Sequence, residues 1–147
     1  VVMLGYWQMP DATADALRGG WMHTGDLGRM NAQGYVTVVD RLKDIIITGG
    51  ENVYSAEVES ALSTHPDVAA LAVVAAPDPK WGERVHAVVV LRPGAAPCPQ
   101  ALTDHCRQRL PGYKIPRSFA FVDALPLSAA GKILKNVLRD RAKAGED

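Results

Sequence analysis

Residues 40–59 read DRLKDIIITGGENVYSAEVE, and the fold turns on how this stretch is parsed. It opens as a charged joint, continues as an apolar strand at Ile45, Ile46 and Ile47, breaks at the pair Gly49-Gly50, and enters a helix near Ser55. Ser55 is expected to cap that helix, with Glu57 and Glu59 in its positive first turn and Val58, Ala61 and Leu62 as its apolar stripe. A hinge feeding a small domain has this order of parts. Glycine adopts backbone conformations closed to other residues and lets a ligand approach the main chain, so the Gly49-Gly50 turn is a candidate site as well as a turn.

Beyond this stretch, residues 68–76 and 85–91 are almost wholly apolar, as expected of two central strands in one buried sheet. The connector between them carries Trp81 at its tip. After a Pro/Ala/Gly loop at 93–99, Leu102, Cys106 and Leu110 recur at helical spacing, with Pro99 acceptable at the first helical position and Pro111-Gly112 as the stop. Residues 113–117 form a basic and aromatic loop, and 118–122 a short strand. The spacing predicts a last helix from about Lys132 that turns Ile133, Leu134, Val137 and Leu138 inward. In the other direction, residues 1–4 suit the end of a strand and 12–18 a short helix. A hairpin is expected from 27–30 and 35–39 around the loop at 31–34. That first block has too few apolar positions to stand as a stable domain.

The chain has 147 residues, and 48% of them are hydrophobic, enough for a buried core. Sixteen Lys and Arg balance sixteen Asp and Glu, which leaves no electrostatic footprint for nucleic acid and no polybasic membrane signal. Cys98 and Cys106 lack metal-ligand spacing, and the four histidines are scattered, so no metal site is expected. Two cysteines without a disulfide pattern fit a reducing cytoplasm. No apolar run is long enough to span a bilayer, and the first residues given lack the basic, apolar and small-residue succession of a signal peptide. The chain starts with Val and is expected to be a piece of a longer protein.

Six short motifs then stand in one order: Thr24-Gly25-Asp26, Asp40-Arg41-Leu42-Lys43-Asp44, Gly49-Gly50-Glu51-Asn52, Lys80-Trp81-Gly82-Glu83, Tyr113-Lys114-Ile115-Pro116 and Gly131-Lys132-Ile133-Leu134. Together they resemble the adenylate-forming superfamily over essentially the whole chain, and most of all its acyl-CoA synthetases for fatty or aromatic acids. The resemblance implies an α+β fold, a small mixed sheet flanked by helices, preceded by a β-hairpin piece of a large N-terminal domain. It divides the chain into residues 1–40, the remnant of that large AMP-binding domain, and residues 41–147, a lid domain beginning at the hinge. The implied reaction has two steps: a carboxylic acid and ATP give acyl-AMP and pyrophosphate, and the thiol of CoA then displaces AMP. ATP, CoA and Mg2+ are the implied small molecules, the metal being held by the missing N-terminal domain. The implied partners are the acid, ATP, CoA and that domain, with a homo-oligomer left open.

Residue by residue, the resemblance makes Lys132 the catalytic lysine of adenylation, whose ammonium can hold carboxylate and α-phosphate oxygens together. On local sequence alone an ordinary exposed lysine at a helix start is the favoured reading of Lys132, since Gly-Lys is common in loops; the order of the motifs reverses that preference. Asp26 corresponds to the carboxylate that accepts both ribose hydroxyls, or else caps its own turn. Arg41 corresponds to a nucleotide-contacting arginine, or else pairs with Asp40 or Asp44 at the surface. Lys43 falls at the hinge. Gly49 and Gly50 are implied to line the pantetheine tunnel, with Trp81 packing on CoA and Tyr113 and Lys114 supplying stacking and phosphate contact; a core role is the alternative for Trp81. Two other readings stay open. One is an adenylation domain that loads a carrier protein; the other is a binding or dimerisation module without chemistry. The isolated chain is expected to be inactive alone.

Overall fold

Two long apolar strands organise the structure, a computed structural model that describes residues 3–145. The first block contributes helix α1, Pro10–Ala16, and strands β1, Asp26–Met30, and β2, Val36–Arg41. The two strands form an antiparallel hairpin. The expected helix therefore begins two residues early, because Pro10 serves as its first residue, where the missing N–H costs nothing. Met3 and Leu4 are irregular rather than the end of a strand, and Val1 and Val2 lie outside the described residues.

A 3-10 turn at Leu42–Asp44 leads into β3, Ile46–Thr48, β4, Glu51–Val53, and helix α2, Ser55–Ser63. Strand β4 was hidden in the sequence: Glu51-Asn52-Val53 has one apolar residue, yet it pairs back on β3 across the Gly49-Gly50 turn. Both glycines hold φ in the left-handed region, +59° and +85°. Then come β5, Val68–Asp78, and β6, Gly82–Leu91, paired antiparallel over almost their full length. The apolar runs thus extend into the connector, which shrinks to a tight turn at its Pro79-Lys80-Trp81 end. Helix α3, Pro99–Arg107, strand β7, Ser118–Phe121, and helix α4, Lys135–Ala144, complete the chain. Strand β7 joins β6 in parallel, so the five-stranded sheet is mixed.

Alternation along the strands explains why the runs are apolar throughout. Val73, Val85, Ala87 and Val89 face one side, where they meet Val58 and Leu62 of α2 and Leu102 and Cys106 of α3. Ala72, Val74, Val88 and Ala120 face the other, against Leu138 of α4. Both faces of the sheet are covered, as continuous hydrophobic runs require. Cys106 behaves as a small core hydrophobe, and burial pushes its thiol up to about 11.

Two local expectations are corrected. Ser55 is the first helical residue and not the cap; it is fully buried, and its hydroxyl accepts a hydrogen bond from Lys135 Nζ at 2.8 Å. Helix α4 starts at Lys135 rather than near Lys132, because Ile133 is engaged in an antiparallel bridge with Leu127 and Leu134 N donates to Pro126 O. Ile133 consequently remains 39% exposed and does not face the core.

The chain divides into two compact units, Val1–Lys43 and Asp44–Asp147. Among the described residues every buried hydrophobic side chain lies at or beyond Ile46; in the first unit Met30, Tyr35, Val36 and Val38 of the hairpin are exposed. Among the described residues no helix is long and apolar enough to cross a membrane.

Leu62 is completely buried in the α2 face of the core. Leu62→Ala is expected to lower the unfolding free energy by about 2–5 kcal/mol, the usual range for a buried Leu truncation. Urea unfolding followed by circular dichroism checks this through a lower midpoint at an unchanged slope.

Candidate functional site

In the first unit the expected nucleotide residues meet as cross-strand partners. Gly25, at φ +74°, turns the chain, and Thr24 Oγ1 accepts the Asp26 N–H at 3.1 Å. Asp26 thereby becomes the first residue of β1, directly opposite Arg41, the last of β2. Their side chains form an ion pair at 2.9 Å, and the Arg41 guanidinium also donates to Thr24 O at 3.1 Å. Arg41 therefore pairs with Asp26, not with Asp40 or Asp44; Asp40 Oδ1 instead accepts the Arg41 backbone N–H. The pair borders an open groove of about 420 Å³ lined by Thr24, Gly25, Arg41, Leu42 and Lys43. A carboxylate and a forked cation beside such a groove suit a polyol with nearby phosphate.

In the second unit Gly49 and Trp81 are in direct contact. Gly49 N donates to Trp81 O at 3.0 Å, and a Cβ on Gly49 would stand 2.7 Å from the indole ring. Glycine is required there twice, by its positive φ and by the ring above it. Asp78 fixes the turn: its carboxylate accepts the N–H groups of Lys80 and Trp81, each at 2.9 Å. The hydrogen bond from Trp81 holds the Asp78 pKa below its ordinary value. Lys80 Nζ and Arg117 Cζ lie 4.8 and 4.9 Å from the indole centroid. The indole is neither a core aromatic nor a bare surface ring: it is half-buried and flanked by two cations.

Arg117 is the residue that sequence reasoning passed over. Its place follows from β7 lying parallel to β6, since Arg117 N donates to Val85 O at 2.9 Å just before the strand starts. The basic character of the loop was visible; the strand order that brings it to Trp81 was not.

Tyr113 and Lys114 occupy a 3-10 turn, Gly112–Lys114. Lys114 Nζ contacts both carboxylate oxygens of Glu57, at 2.6 and 2.8 Å, and that hydrogen bond raises its pKa. Tyr113 is 38% exposed beside it. Lys132 lies in an exposed turn closed by Gly131 N to Ser128 O at 2.9 Å and Lys132 N to Ser128 Oγ at 3.1 Å. Its ammonium has no carboxylate partner among the described residues. The structure thus joins Asp26 to Arg41 and Gly49 to Trp81, keeps Gly50 in the same turn as Gly49, and places Lys114 on Glu57. Lys43 closes the first unit.

The histidines take structural posts. His86 Nδ1 lies 2.8 Å from Ser118 Oγ, and His105 Nε2 lies 2.8 Å from Thr64 Oγ1, with burial pushing the His105 pKa down. Among the described residues no three His, Cys, Asp or Glu side chains gather as metal ligands.

Residues 57–132 match the AMP-binding enzyme C-terminal domain. The chain belongs to that family. It is 52% identical over 140 residues to a feruloyl-CoA synthase of an Amycolatopsis species, covering 95% of this chain and 28% of the relative. It is 49% identical over 139 residues to the fatty acid–[acyl-carrier-protein] ligase ScoC of Streptomyces coeruleorubidus, again with 95% of this chain and 27% of the relative covered. The crystal structure of ATP-bound MatB from Rhodopseudomonas palustris superposes with a TM-score of 0.88 at 40% identity, over 98% of this chain and 29% of that one. The chain therefore spans little more than a quarter of the length of these relatives. The α+β architecture of a small sheet flanked by helices is that of an AMP-binding C-terminal domain.

The contact of Gly49 with Trp81 separates two effects that a substitution would combine elsewhere. Gly50→Ala meets only the backbone penalty of a left-handed residue, about 1–2 kcal/mol, because nothing lies near its added Cβ. Gly49→Ala meets the same penalty and also displaces the indole. Gly49→Ala is expected to destabilise the chain more than Gly50→Ala, and to shift the Trp81 resonances in an NMR spectrum, which Gly50→Ala leaves in place.

Proposed function

We propose that this chain is the C-terminal part of an ATP-dependent acyl-CoA synthetase. In this reading residues 1–40 are the end of a large AMP-binding domain and residues 41–147 are its mobile lid. The observation that carries it is the pairing of Asp26 with Arg41 beside the groove, together with a separate exposed lysine loop. The exposed apolar side chains of the hairpin support the assignment of residues 1–40 to a larger body.

The chemistry would run as follows. Asp26 receives the ribose hydroxyls of ATP, and Arg41 holds the carboxylate in place while offering donors to nucleotide oxygens. Lys132 brings the substrate carboxylate to the α-phosphorus, so that a carboxylate oxygen bonds to phosphorus and pyrophosphate leaves. An ammonium with no carboxylate partner among the described residues suits this task. Rotation about Lys43 then replaces the Lys132 loop by the Gly49-Gly50 turn. There the thiol of CoA attacks the acyl carbonyl and AMP leaves. Trp81 with Arg117 and Lys80 offers an aromatic face edged with positive charge, fit for adenine and phosphate, and Tyr113 with Lys114 extends it. Mg2+ would neutralise the phosphates of ATP from ligands outside this chain. The cytoplasm, where ATP and CoA are abundant, is the proposed location.

The experiment uses the full-length parent with ATP, magnesium and a panel of fatty and aromatic acids, following acyl-AMP and acyl-CoA by mass spectrometry. Lys132→Ala is expected to slow acyl-AMP formation by roughly 10²–10³, as removal of a transition-state donor does, and to spare thioester formation from preformed acyl-AMP. Equal loss in both steps would remove Lys132 from its role. Lys43→Pro, which fixes the backbone at the joint, is expected to show the converse: adenylation retained and thioester formation blocked. A variant that ligates CoA normally would argue against a rotating lid. A second reading, loading of a carrier protein, is favoured by the similarity to ScoC, a fatty acid–[acyl-carrier-protein] ligase; acyl-AMP that persists with CoA but discharges onto a carrier protein would select it.

A further inference from the structure

Helix α4 follows the Lys132 loop directly, and it is anchored by two polar ties one helical turn apart. Lys135 Nζ reaches Ser55 Oγ at 2.8 Å and Glu59 Oε1 at 2.7 Å. Four residues on, Arg139 pairs with Asp44 at 2.5 Å. Residues four apart share one face of a helix, so the two ties act on the same side of α4.

The second tie is unusual for where it ends. Asp44 comes immediately after Lys43, at the very start of the second unit. The Asp44 and Arg139 side chains are only 10% and 18% exposed. A pair so withdrawn from water holds its geometry closely, because removing either member strands the other charge. By contrast, Arg107 and Asp104 pair one turn apart on α3 with both side chains more than half exposed, and such a pair fixes nothing distant. A helix of ten residues transmits a displacement at Arg139 to its own first turn, where the Lys132 loop begins.

We infer that Asp44 and Arg139 are positioning residues for Lys132: their ion pair locks α4 to the first residue beyond the Lys43 joint, so that the Lys132 loop keeps a fixed place relative to that joint. This rests on the reading of Lys132 as the adenylation lysine and Lys43 as the hinge. The Gly49-Gly50 turn is held separately, by β3, β4 and Trp81, and does not depend on α4.

In the full-length parent, Asp44→Asn and Arg139→Gln are each expected to slow acyl-AMP formation by about tenfold or more, the effect of misplacing a catalytic group, with thioester formation from preformed acyl-AMP little changed. The double variant is expected to match the singles, because the two residues act as one unit. Arg139→Lys restores part of the rate by keeping the charge without the fork. Arg107→Gln serves as the surface control and leaves both steps unchanged. Equal losses in the two steps, or losses that multiply in the double variant, would show a general structural role and overturn the inference. A second measurement needs no activity. In hydrogen exchange on this chain, Asp44→Asn is expected to speed the amides of Gly131, Lys132 and Leu134, which are bonded to Ser128 O, Ser128 Oγ and Pro126 O, and to leave the β5–β6 amides protected. Uniform acceleration, or none at residues 131–134, counts against it. A wild-type parent that forms no acyl-AMP would sink the functional reading, and the exchange result would still decide whether the pair fixes the loop.

Discussion

The antiparallel pairing of β5 with β6, running from Ala70 opposite Val90 to Asp78 opposite Gly82, fixes where every other part of the second unit can go. Strand β6 is then paired on its other side by β3 near Gly82 and by β7 from His86 to Val89, and β5 is left as an edge. An edge of eleven residues rich in Val and Ala is a template for unwanted pairing. The chain blunts it. Glu59 Oε1 accepts the outward N–H of Val73 at 2.8 Å, and Pro77 offers no N–H at all. The same Glu59 oxygen pairs with Lys135, so a carboxylate from α2 and an ammonium from α4, helices on opposite faces of the sheet, meet across the edge strand. One polar cluster therefore caps the edge and fastens both layers.

This bears on function because the candidate residues sit on short irregular segments, and irregular segments have no ladder to hold them. Each is fixed instead by a contact reaching into a regular element. Asp26 is fixed by being the cross-strand neighbour of Arg41, Trp81 by Asp78 beneath its backbone and Gly49 beneath its ring, and Lys114 by Glu57 on α2. A side chain placed this way is held to within a hydrogen bond's tolerance without adding a rigid element of its own.

How much of this was legible depended on the range of the interaction. The long strands, α2, α3 and the first hairpin follow from periodicity and turn residues, which act over a few positions, and they stand close to where the sequence puts them. What failed was set by distant partners. Strand β4 has no apolar pattern and exists because the Gly49-Gly50 turn folds it onto β3. Helix α4 starts three residues late because Leu127, far from any helical signal, claims Ile133 for a bridge. Ser55 looks like a cap in isolation, but a buried hydroxyl takes the best donor available, and that donor, Lys135, lies eighty residues away. Arg117 beside Trp81 and Asp44 beside Arg139 are of the same kind: charged residues whose partners are set by strand order and helix packing rather than by neighbouring sequence.

The distribution of ion pairs among the charged candidates also carries an argument. Asp26 and Arg41 satisfy one another, and Lys114 is satisfied by Glu57, each within its own unit. Such groups can orient a ligand, but a pair must open before either member gives its full charge to a reacting centre, and opening it forfeits a charge-assisted hydrogen bond. Lys132 bears no such cost, since its ammonium is exposed and without a carboxylate partner among the described residues. Its backbone is nevertheless confined by the Ser128 turn on one side and the anchored α4 on the other. A cation with a fixed base and an uncommitted charge is what stabilisation of a developing anionic centre requires, and among these residues Lys132 is the one that combines both.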